Sequence, residues 1–142
     1  GLVPVIRDVI AANTPYLGIC MGMQVLMSVS YEGGEHQCLG VIPGAVRRLP
    51  GGQAIPHMGW NQVHQTIAHP LWDGIATNTR FYFVHSYYVA TDEPQIVAGS
   101  TEYPVPFTCA VAKDNSFAIH FHPEKSHSAG LALLSNFLKW TP

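Results

Sequence analysis

Apolar residues recur at helical spacing near both ends of the chain. Residues 2 to 12 carry apolar side chains on one helical face, and Asn13 and Pro15 mark the end of that pattern. Residues 16 to 20 form a short apolar run typical of a buried strand, and residues 21 to 28 return to a helix-compatible pattern. This order of helix, strand, tight turn and helix favours an α/β fold with a parallel sheet.

The rest of the chain alternates between turns and extended segments. Glycine and proline punctuate residues 33 to 52, where we expect short strands and ordered loops. Aromatic and β-branched residues predict a strand over residues 80 to 90, and a second strand is predicted over residues 95 to 100. The pattern further predicts a hairpin of residues 107–112 and 117–122, and a terminal helix over 128–140. No repeat or linker interrupts the pattern, so we expect one domain over residues 1 to 142.

Composition narrows the classes of function. The chain of 142 residues is 47% hydrophobic and 11% charged, and its formal net charge of −2 comes with no basic run. Nucleic acid is therefore not an expected partner. No stretch reaches the roughly 18 apolar residues that a membrane span needs, so we expect no membrane insertion. The first residues lack the pattern of a secretory signal, which makes the cytoplasm the expected compartment.

One of the three cysteines is a candidate nucleophile. Residues 18 to 22 have the form Gly-x-Cys-x-Gly at a predicted strand-to-helix junction, the thiol counterpart of a nucleophile elbow. Gly18 and Gly22 would leave clearance for the strained turn, and the Met21 N–H would face an oxyanion beside the sulfur of Cys20. The helix N-terminus would favour the thiolate of Cys20. The alternative is a buried cysteine between packing glycines.

The other two cysteines have no such surroundings. Cys38 and Cys109 are expected to be small buried apolar residues, because free cysteine is among the most buried residue types. The odd number and irregular spacing of the cysteines favour neither a disulfide framework nor a paired-cysteine zinc site.

A histidine near the end of the chain is the candidate base. His122 closes a predicted strand, and Glu124 follows two residues later, where its carboxylate could hold the imidazole ring in one tautomer. Strand alternation would place His120 and His122 on one face. A metal site that joins these two histidines to His127 or Glu124 is a competing interpretation, and two structural histidines are another. The other five histidines are expected to be surface or satisfied core groups.

These segments together resemble a known family. Residues 18 to 24 read Gly-Ile-Cys-Met-Gly-Met-Gln and residues 121 to 126 read Phe-His-Pro-Glu-Lys-Ser, which are similar to the paired signatures of class I glutamine amidotransferases. Residues 56 to 61 and 81 to 87 narrow the resemblance to the glutaminase subunits of imidazole glycerol phosphate synthases. The resemblance covers nearly the whole chain. It implies a flavodoxin-like, mostly parallel α/β sheet with an antiparallel extension.

The resemblance also implies chemistry for particular residues. Cys20 would attack the side-chain amide of glutamine, His122 would shuttle protons and Glu124 would orient His122, giving glutamate and ammonia through a glutamyl thioester. The implied partner is a (β/α)₈-barrel cyclase that uses the ammonia in histidine biosynthesis, and no cofactor or metal is implied. The remaining implied sites are a substrate-binding set, Gly22, Gln24, Ser86 and Tyr87, and a partner interface, Met58, Trp60 and Asn61.

The chain departs from the family pattern in two ways. His120 stands where the family commonly carries a glutamine. The chain also starts one helix before the nucleophile strand, so about 60 residues of upstream βα units, at about 30 residues each, are expected to be absent. That segment would hold the second oxyanion N–H, and its loss would expose the edge of the strand at residues 16 to 20. We therefore expect little glutaminase activity from this chain alone.

Two other functions remain open from the sequence. The chemistry could serve another class I amidotransferase, such as one of anthranilate, GMP or CTP synthesis. The domain could also be a binding module that keeps the fold without catalysis, in which case the thiol of Cys20 would react no faster than those of Cys38 or Cys109.

Overall fold

The computed structural model describes residues 1–50, 55–103 and 105–142. Its helices lie largely at the two ends, where the helical pattern is clearest. They are α1 (Leu2–Ala11), α2 (Met21–Gln24) and α3 (His127–Lys139). The strands are β1 (Tyr16–Ile19), β2 (Val29–Ser30), β3 (His36–Gln37), β4 (Gly44–Arg48), β5 (His57–Gln65), β6 (Thr79–His85), β7 (Tyr87–Thr91), β8 (Val97–Glu102), β9 (Pro106–Lys113) and β10 (Ser116–Ile119). Short 3-10 turns occupy Pro70–Trp72, Pro94–Ile96 and Pro123–Lys125.

The sheet is mixed. Its order is β3-β2-β4-β7-β9-β8-β5-β6, with β10 paired to β9 and β1 paired to β10. Strands β1 and β10 are parallel, as are β2 and β4, and the other pairs in the described residues are antiparallel. The α/β class is confirmed, but the antiparallel part is larger than expected. Short connections join β8 to β9 and β9 to β10, and such connections favour antiparallel pairing.

The segment after Cys20 is less helical than its pattern predicts. The predicted helix over residues 21 to 28 ends at Gln24. The carbonyls of Val25, Leu26 and Met27 accept hydrogen bonds from the backbone N–H groups of residues 39, 42 and 40. Because these carbonyls pair with a neighbouring loop, they are not available to continue the helix.

Three strand predictions differ from the structure. The strand predicted over residues 80 to 90 is two strands separated at Ser86, and the one predicted over 95 to 100 begins at Val97 after a 3-10 turn. The strand expected to reach His122 ends at Ile119, so His120 and His122 do not continue one strand face. The nine-residue strand β5 was not predicted, because its polar and apolar residues do not alternate regularly.

The core has two parts. Aromatic rings of β6, β10 and the segment after β10 form the larger cluster, which includes Phe81, Phe83, Phe117 and Phe121. The smaller cluster packs α2 and the following loop against β4 and contains Met23, Leu26, Met27, Ile42 and Val46. Cys109 is fully buried, as expected, whereas Cys38 is only partly buried. No helix of the described residues is long and apolar enough to cross a membrane.

Three histidines lie inside this core. His57 and His85 are 3% and 6% exposed, and His120 is completely buried. Burial, with a smaller contribution from the neighbouring His85, lowers the pKa of His57 to about 4. Burial also lowers the pKa of His85 and, more strongly, that of His120. All three rings are therefore neutral near pH 7.

We predict that the protein loses stability in mild acid. The ordinary histidine pKa is 6.5, so the unfolded chain takes up protons as the pH falls through that value while the folded core does not. The free energy of unfolding should fall between pH 6.5 and about 4, by up to about 1.4 kcal/mol for each unit of pKa difference at each histidine. Urea unfolding at several pH values measures this change. His57→Phe should show a shallower dependence, and a flat wild-type curve would contradict the prediction.

Helix α3 packs closely on the turn that follows β10. A Cβ atom added at Gly130 would overlap the backbone oxygen of Pro123. Gly130 is buried, and the three atoms nearest to this position all belong to the backbone of Pro123, which cannot swing aside as a long side chain can. The glycine therefore sets how closely α3 approaches the Pro123–Lys125 turn.

We predict that Gly130→Ala destabilises the protein by about 1–3 kcal/mol, because the overlap forces the helix and the turn apart. Leu131→Ala is the matched control, since its side chain is 66% exposed on the same helix. Chemical denaturation of the two variants gives the comparison. Equal stability of Gly130→Ala and the wild type would contradict the packing described here.

Candidate active site

The sharp turn between β1 and α2 carries Cys20. Its backbone has φ 54° and ψ −101°, a conformation that is rare for a residue with a side chain. The Cys20 carbonyl accepts hydrogen bonds from the N–H groups of Met23 at 3.0 Å and Gln24 at 3.1 Å, which close the turn. Such a strained conformation in a non-glycine residue is frequent at functional sites.

The two glycines around Cys20 differ in importance. A Cβ atom at Gly18 would lie 2.5 Å from the backbone oxygen of Gly22, so the turn requires glycine there. A Cβ atom at Gly22 would meet only the Tyr16 hydroxyl, at 3.5 Å, which is an ordinary contact. The Tyr16 hydroxyl donates to the Gly22 carbonyl at 2.9 Å. The predicted clearance is thus confirmed for Gly18, and the described neighbours do not demand it of Gly22.

The thiol of Cys20 is less acidic than its position suggests. Burial raises its pKa above the ordinary value, and the charges of Glu32 and Glu124 raise it further. The backbone hydrogen bond from Met21 lowers it but does not reverse the effect. The first N–H of α2 thus favours the thiolate in the expected direction, but burial and the two carboxylates outweigh it, so the net pKa of the Cys20 thiol is raised. A nucleophilic Cys20 needs a base.

The pairing of β1 with β10 places such a base at the same edge of the sheet. Ile19 is in register with Ile119, and the Cys20 N–H donates to the Ile119 carbonyl at 2.8 Å. Because the two strands are parallel, the residues that follow them leave the sheet on the same side. His122 comes three residues after Ile119, and the charge of Glu124 reaches the Cys20 thiol.

His122 and Glu124 form the predicted pair. The Nδ1 atom of His122 lies 3.1 Å from Oε2 of Glu124. Because an ionised carboxylate only accepts, Nδ1 carries the hydrogen and Nε2 remains as the basic nitrogen. The His122 side chain is 20% exposed and that of Glu124 is 50% exposed, so the pair lies at the surface of the fold.

A buried serine, to which the sequence assigned no role, holds the turn of His122. The Oγ atom of Ser126 donates to the His122 carbonyl at 2.6 Å and accepts from the Tyr82 N–H at 2.9 Å. The His122 N–H in turn donates to the Tyr82 carbonyl at 2.9 Å. These bonds fix the turn to β6, and Ser126 is 1% exposed. Its place at the end of the 121–126 segment was the signal for it in the sequence.

The residues expected to bind substrate lie around the buried histidines. The Nε2 atom of Gln24 lies 2.9 Å from Nε2 of His120. The His120 and His85 rings lie 4.5 Å apart between centroids, and Nδ1 of His85 donates to the Tyr87 carbonyl at 2.7 Å. Ser86 separates β6 from β7, so Gln24 and the backbone of Ser86 and Tyr87 are linked through two histidine rings.

The residues expected to face a partner fall into two groups. Met58 and Trp60 are 61% and 42% exposed on one face of β5. Trp60 stacks on His127, with ring centroids 5.2 Å apart, and its edge approaches Tyr82. Asn61 is half-buried, and its Nδ2 donates to the Glu102 carbonyl at 2.8 Å and lies 3.3 Å from Nε2 of His57.

The metal interpretation has no geometric support. Within the parts of the chain that the structure describes, no three His, Cys, Asp or Glu side chains are grouped to hold an ion. His120 faces Gln24 and His85 in the core, whereas His122 faces Glu124. The two histidines thus do not form a ligand pair.

Comparisons with known proteins agree with this geometry. The family model described as glutamine amidotransferase class I matches residues 1–140. The imidazole glycerol phosphate synthase subunit HisH of Nitrosomonas europaea is 70% identical over 141 residues, which are 93% of this chain and 66% of the relative. The subunit HisH of Nitrosospira multiformis is 55% identical over 151 residues, covering 100% of this chain and 70% of the relative. The chain thus spans about two thirds of the length of these relatives.

Solved structures show the same fold. A structure of PurLQS from Thermotoga maritima matches 97% of this chain and 67% of that chain, with a TM-score of 0.76 at 17% identity. A glutamine amidotransferase from Thermotoga maritima matches 96% of this chain and 52% of that chain, with a TM-score of 0.64 at 17% identity. The segment that the family model matches includes the Cys20 turn, β10 and the His122–Glu124 pair. The chain belongs to the class I glutamine amidotransferase family.

Proposed function

We propose that the chain hydrolyses glutamine to glutamate and ammonia, with Cys20 as nucleophile, His122 as proton carrier and Glu124 as the group that orients His122. The observation that carries this proposal is the parallel β1–β10 pair, which brings the Cys20 turn and the His122–Glu124 pair to one edge of the sheet. The sequence similarity to the HisH subunits supports the same chemistry.

The reaction follows from these positions. The basic Nε2 of His122 takes the thiol proton of Cys20, and the sulfur attacks the carboxamide carbon of glutamine. The oxyanion that forms is stabilised by the Met21 N–H, which is already directed at the sulfur. His122 then gives its proton to the leaving nitrogen, ammonia departs and a glutamyl thioester remains. A water molecule, deprotonated by His122, hydrolyses the thioester and regenerates the thiol.

The raised pKa of Cys20 gives His122 and Glu124 a defined task. Since the isolated thiol stays protonated, removal of its proton depends on the neighbouring imidazole. The Glu124 carboxylate keeps the hydrogen on Nδ1 and stabilises the imidazolium that forms. The negative charge of Glu124 disfavours a thiolate at Cys20 as long as His122 is neutral. The thiolate therefore forms together with the imidazolium of His122, as an ion pair.

The proposal extends to residues that would bind glutamine beside the catalytic groups. Gln24 follows Cys20 by one turn of α2 and would contact the amino-acid end of glutamine, beside Gly22. The backbone of Ser86 and Tyr87 would receive the α-carboxylate. In support, Gln24 connects to Tyr87 through His120 and His85, so these groups border one region.

The proposed partner is a (β/α)₈-barrel cyclase of imidazole glycerol phosphate synthase, which would use the ammonia in histidine biosynthesis. Met58 and Trp60 form an exposed apolar face on β5. Trp60 also contacts Tyr82, whose carbonyl accepts from the His122 N–H, and His127, the first residue of α3 after the His122 turn. A partner on this face would cover the edge of the site and keep ammonia from water. Asn61 would support this face from inside.

We predict that ammonia release from glutamine, measured in complex with the cyclase, requires Cys20. Cys20→Ala should lower kcat by at least about 1000-fold, because alanine has no sulfur to form the thioester at the end of β1. Glu124→Gln should lower kcat by about 10²–10⁴-fold, because the tautomer and charge of His122 are no longer fixed.

Cys38→Ala is the matched control, because Cys38 is a partly exposed cysteine directly after β3. This variant should keep wild-type activity. Folded Cys20→Ala protein with wild-type turnover would contradict the mechanism. A wild-type complex without turnover would favour the non-catalytic binding module.

We further predict that Trp60→Ala weakens the complex with the cyclase about 30-fold, which corresponds to about 2 kcal/mol for a buried aromatic anchor. Leu138→Ala is the control, because Leu138 is 83% exposed near the far end of α3. Isothermal titration calorimetry gives both dissociation constants. A larger loss for Leu138→Ala than for Trp60→Ala would place the interface elsewhere.

A further inference from the structure

A row of polar groups with two buried histidines at its centre runs from β5 to the start of β7, and the chemical steps of the proposed mechanism do not use it. Nδ2 of Asn61 lies 3.3 Å from Nε2 of His57, and Nδ1 of His57 lies 2.9 Å from Nε2 of His85. Nδ1 of His85 lies 2.7 Å from the Tyr87 carbonyl oxygen. Both imidazoles are more than nine-tenths buried. We call this row, Asn61, His57, His85 and the Tyr87 carbonyl, the histidine chain.

The Tyr87 carbonyl at one end of the histidine chain determines which atom donates in each of its hydrogen bonds. A carbonyl only accepts, so Nδ1 of His85 carries a hydrogen. In a neutral ring the other nitrogen then accepts, so Nε2 of His85 receives the hydrogen of His57 Nδ1. By the same reasoning Nε2 of His57 accepts from the amide of Asn61. The hydrogen bonds of the histidine chain therefore all run in one direction, with each donor on the β5 side and each acceptor on the Tyr87 side.

The surroundings of the two rings keep this arrangement. His57 stacks on Phe83 and Tyr103, and the edge of Phe107 closes the same space. The titratable groups whose charges act on the two rings are histidines: His85 on His57, and His122 on His85. Burial among aromatic rings and other histidines lowers the pKa of both imidazoles, so both stay neutral at neutral pH.

The histidine chain ends where β6 and β7 separate. The Ser86 carbonyl accepts from the Leu49 N–H at 2.9 Å, and the next carbonyl, that of Tyr87, accepts from His85. Two consecutive carbonyl oxygens are thus held by hydrogen bonds inside the fold. A carbonyl oxygen released from such a bond can turn towards a bound anion and repel it.

We propose that His85 is a positioning residue, oriented by His57, which holds the Tyr87 carbonyl inside the fold and so fixes the Ser86–Tyr87 backbone for the α-carboxylate of the substrate. This inference rests on the proposed function, because it concerns how that site recognises glutamine. Among the hydrogen bonds of the residues that the structure describes, none joins Cys20, His122 or Glu124 directly to the histidine chain. Loss of His85 should therefore affect binding more than the chemical step.

The test compares two replacements of His85 in the complex with the cyclase. His85→Leu removes the hydrogen bond to the Tyr87 carbonyl, whereas His85→Asn keeps an N–H donor close to the position of Nδ1. We expect His85→Leu to raise KM for glutamine about tenfold, the equivalent of one lost hydrogen bond, with kcat within about threefold of wild type. His85→Asn should restore most of the KM. His64→Leu is the control, because His64 is an exposed histidine on β5 that is not part of the histidine chain.

A second readout does not depend on turnover. Long-range proton–nitrogen correlation spectra of the wild-type rings report which nitrogen carries the hydrogen. We expect Nδ1 protonated and Nε2 unprotonated in both His57 and His85 at neutral pH. His57→Leu should disturb the His85 signals and raise KM in the same direction as His85→Leu, which also decides the question if His85→Leu does not fold.

The outcomes separate this inference from the proposed function. Three results would overturn the positioning role alone. The first is a His85→Leu variant with wild-type kcat and KM, the second is a His85→Leu variant that loses only kcat, and the third is a protonated Nε2 in wild-type His85. Absence of Cys20-dependent ammonia release from the wild-type complex would overturn the proposed function, and with it the role of the histidine chain in glutamine recognition.

Discussion

The parallel pairing of β1 with β10 is the constraint on which the candidate site depends. The two strands come from opposite ends of the chain, and each is only four residues long. Their register, Ile19 opposite Ile119, carries the Cys20 turn and the His122 segment to one edge of the sheet. The hairpin of β9 and β10 attaches this pair to the antiparallel sheet. A shift of register by one residue would turn the side chains of β10 to opposite faces and separate the two halves of the site.

Two buried environments at this edge of the sheet set the protonation states of Cys20 and of the core histidines. Around Cys20, partial burial and nearby carboxylates keep the thiol protonated until a base acts on it. Around His57, His85 and His120, nearly complete burial keeps imidazoles neutral, so they serve as donors and acceptors of fixed direction. Only His122 combines partial exposure with a carboxylate partner among the histidines that the structure describes. The fold thus distinguishes one histidine suited to proton transfer from three suited to hold structure.

The sequence predicted the features that depend on local patterns. The Gly-x-Cys-x-Gly turn, the spacing of His122 and Glu124 and the amphipathic helix at the end of the chain are all visible within a few residues. The features that it did not predict depend on distant contacts. Gly130 is required only because α3 meets the Pro123 carbonyl, and the histidine chain exists only because β5 and β6 place His57 opposite His85. The helix after Cys20 was overestimated for the same reason, since a loop about 15 residues away takes its carbonyls.

Whether the β1–β10 pair assembles a working nucleophile can be measured by labelling the wild-type complex with a glutamine-like electrophile, followed by peptide mapping of all three cysteines. We expect Cys20 to be labelled and Cys38 and the buried Cys109 to remain unlabelled. We also expect glutamine to protect Cys20, and His122→Ala to slow its labelling at neutral pH because the thiol then keeps its proton. Equal labelling of Cys20 and Cys38, or labelling of Cys20 at the wild-type rate without His122, would contradict the claim that the β1–β10 pair assembles a working site.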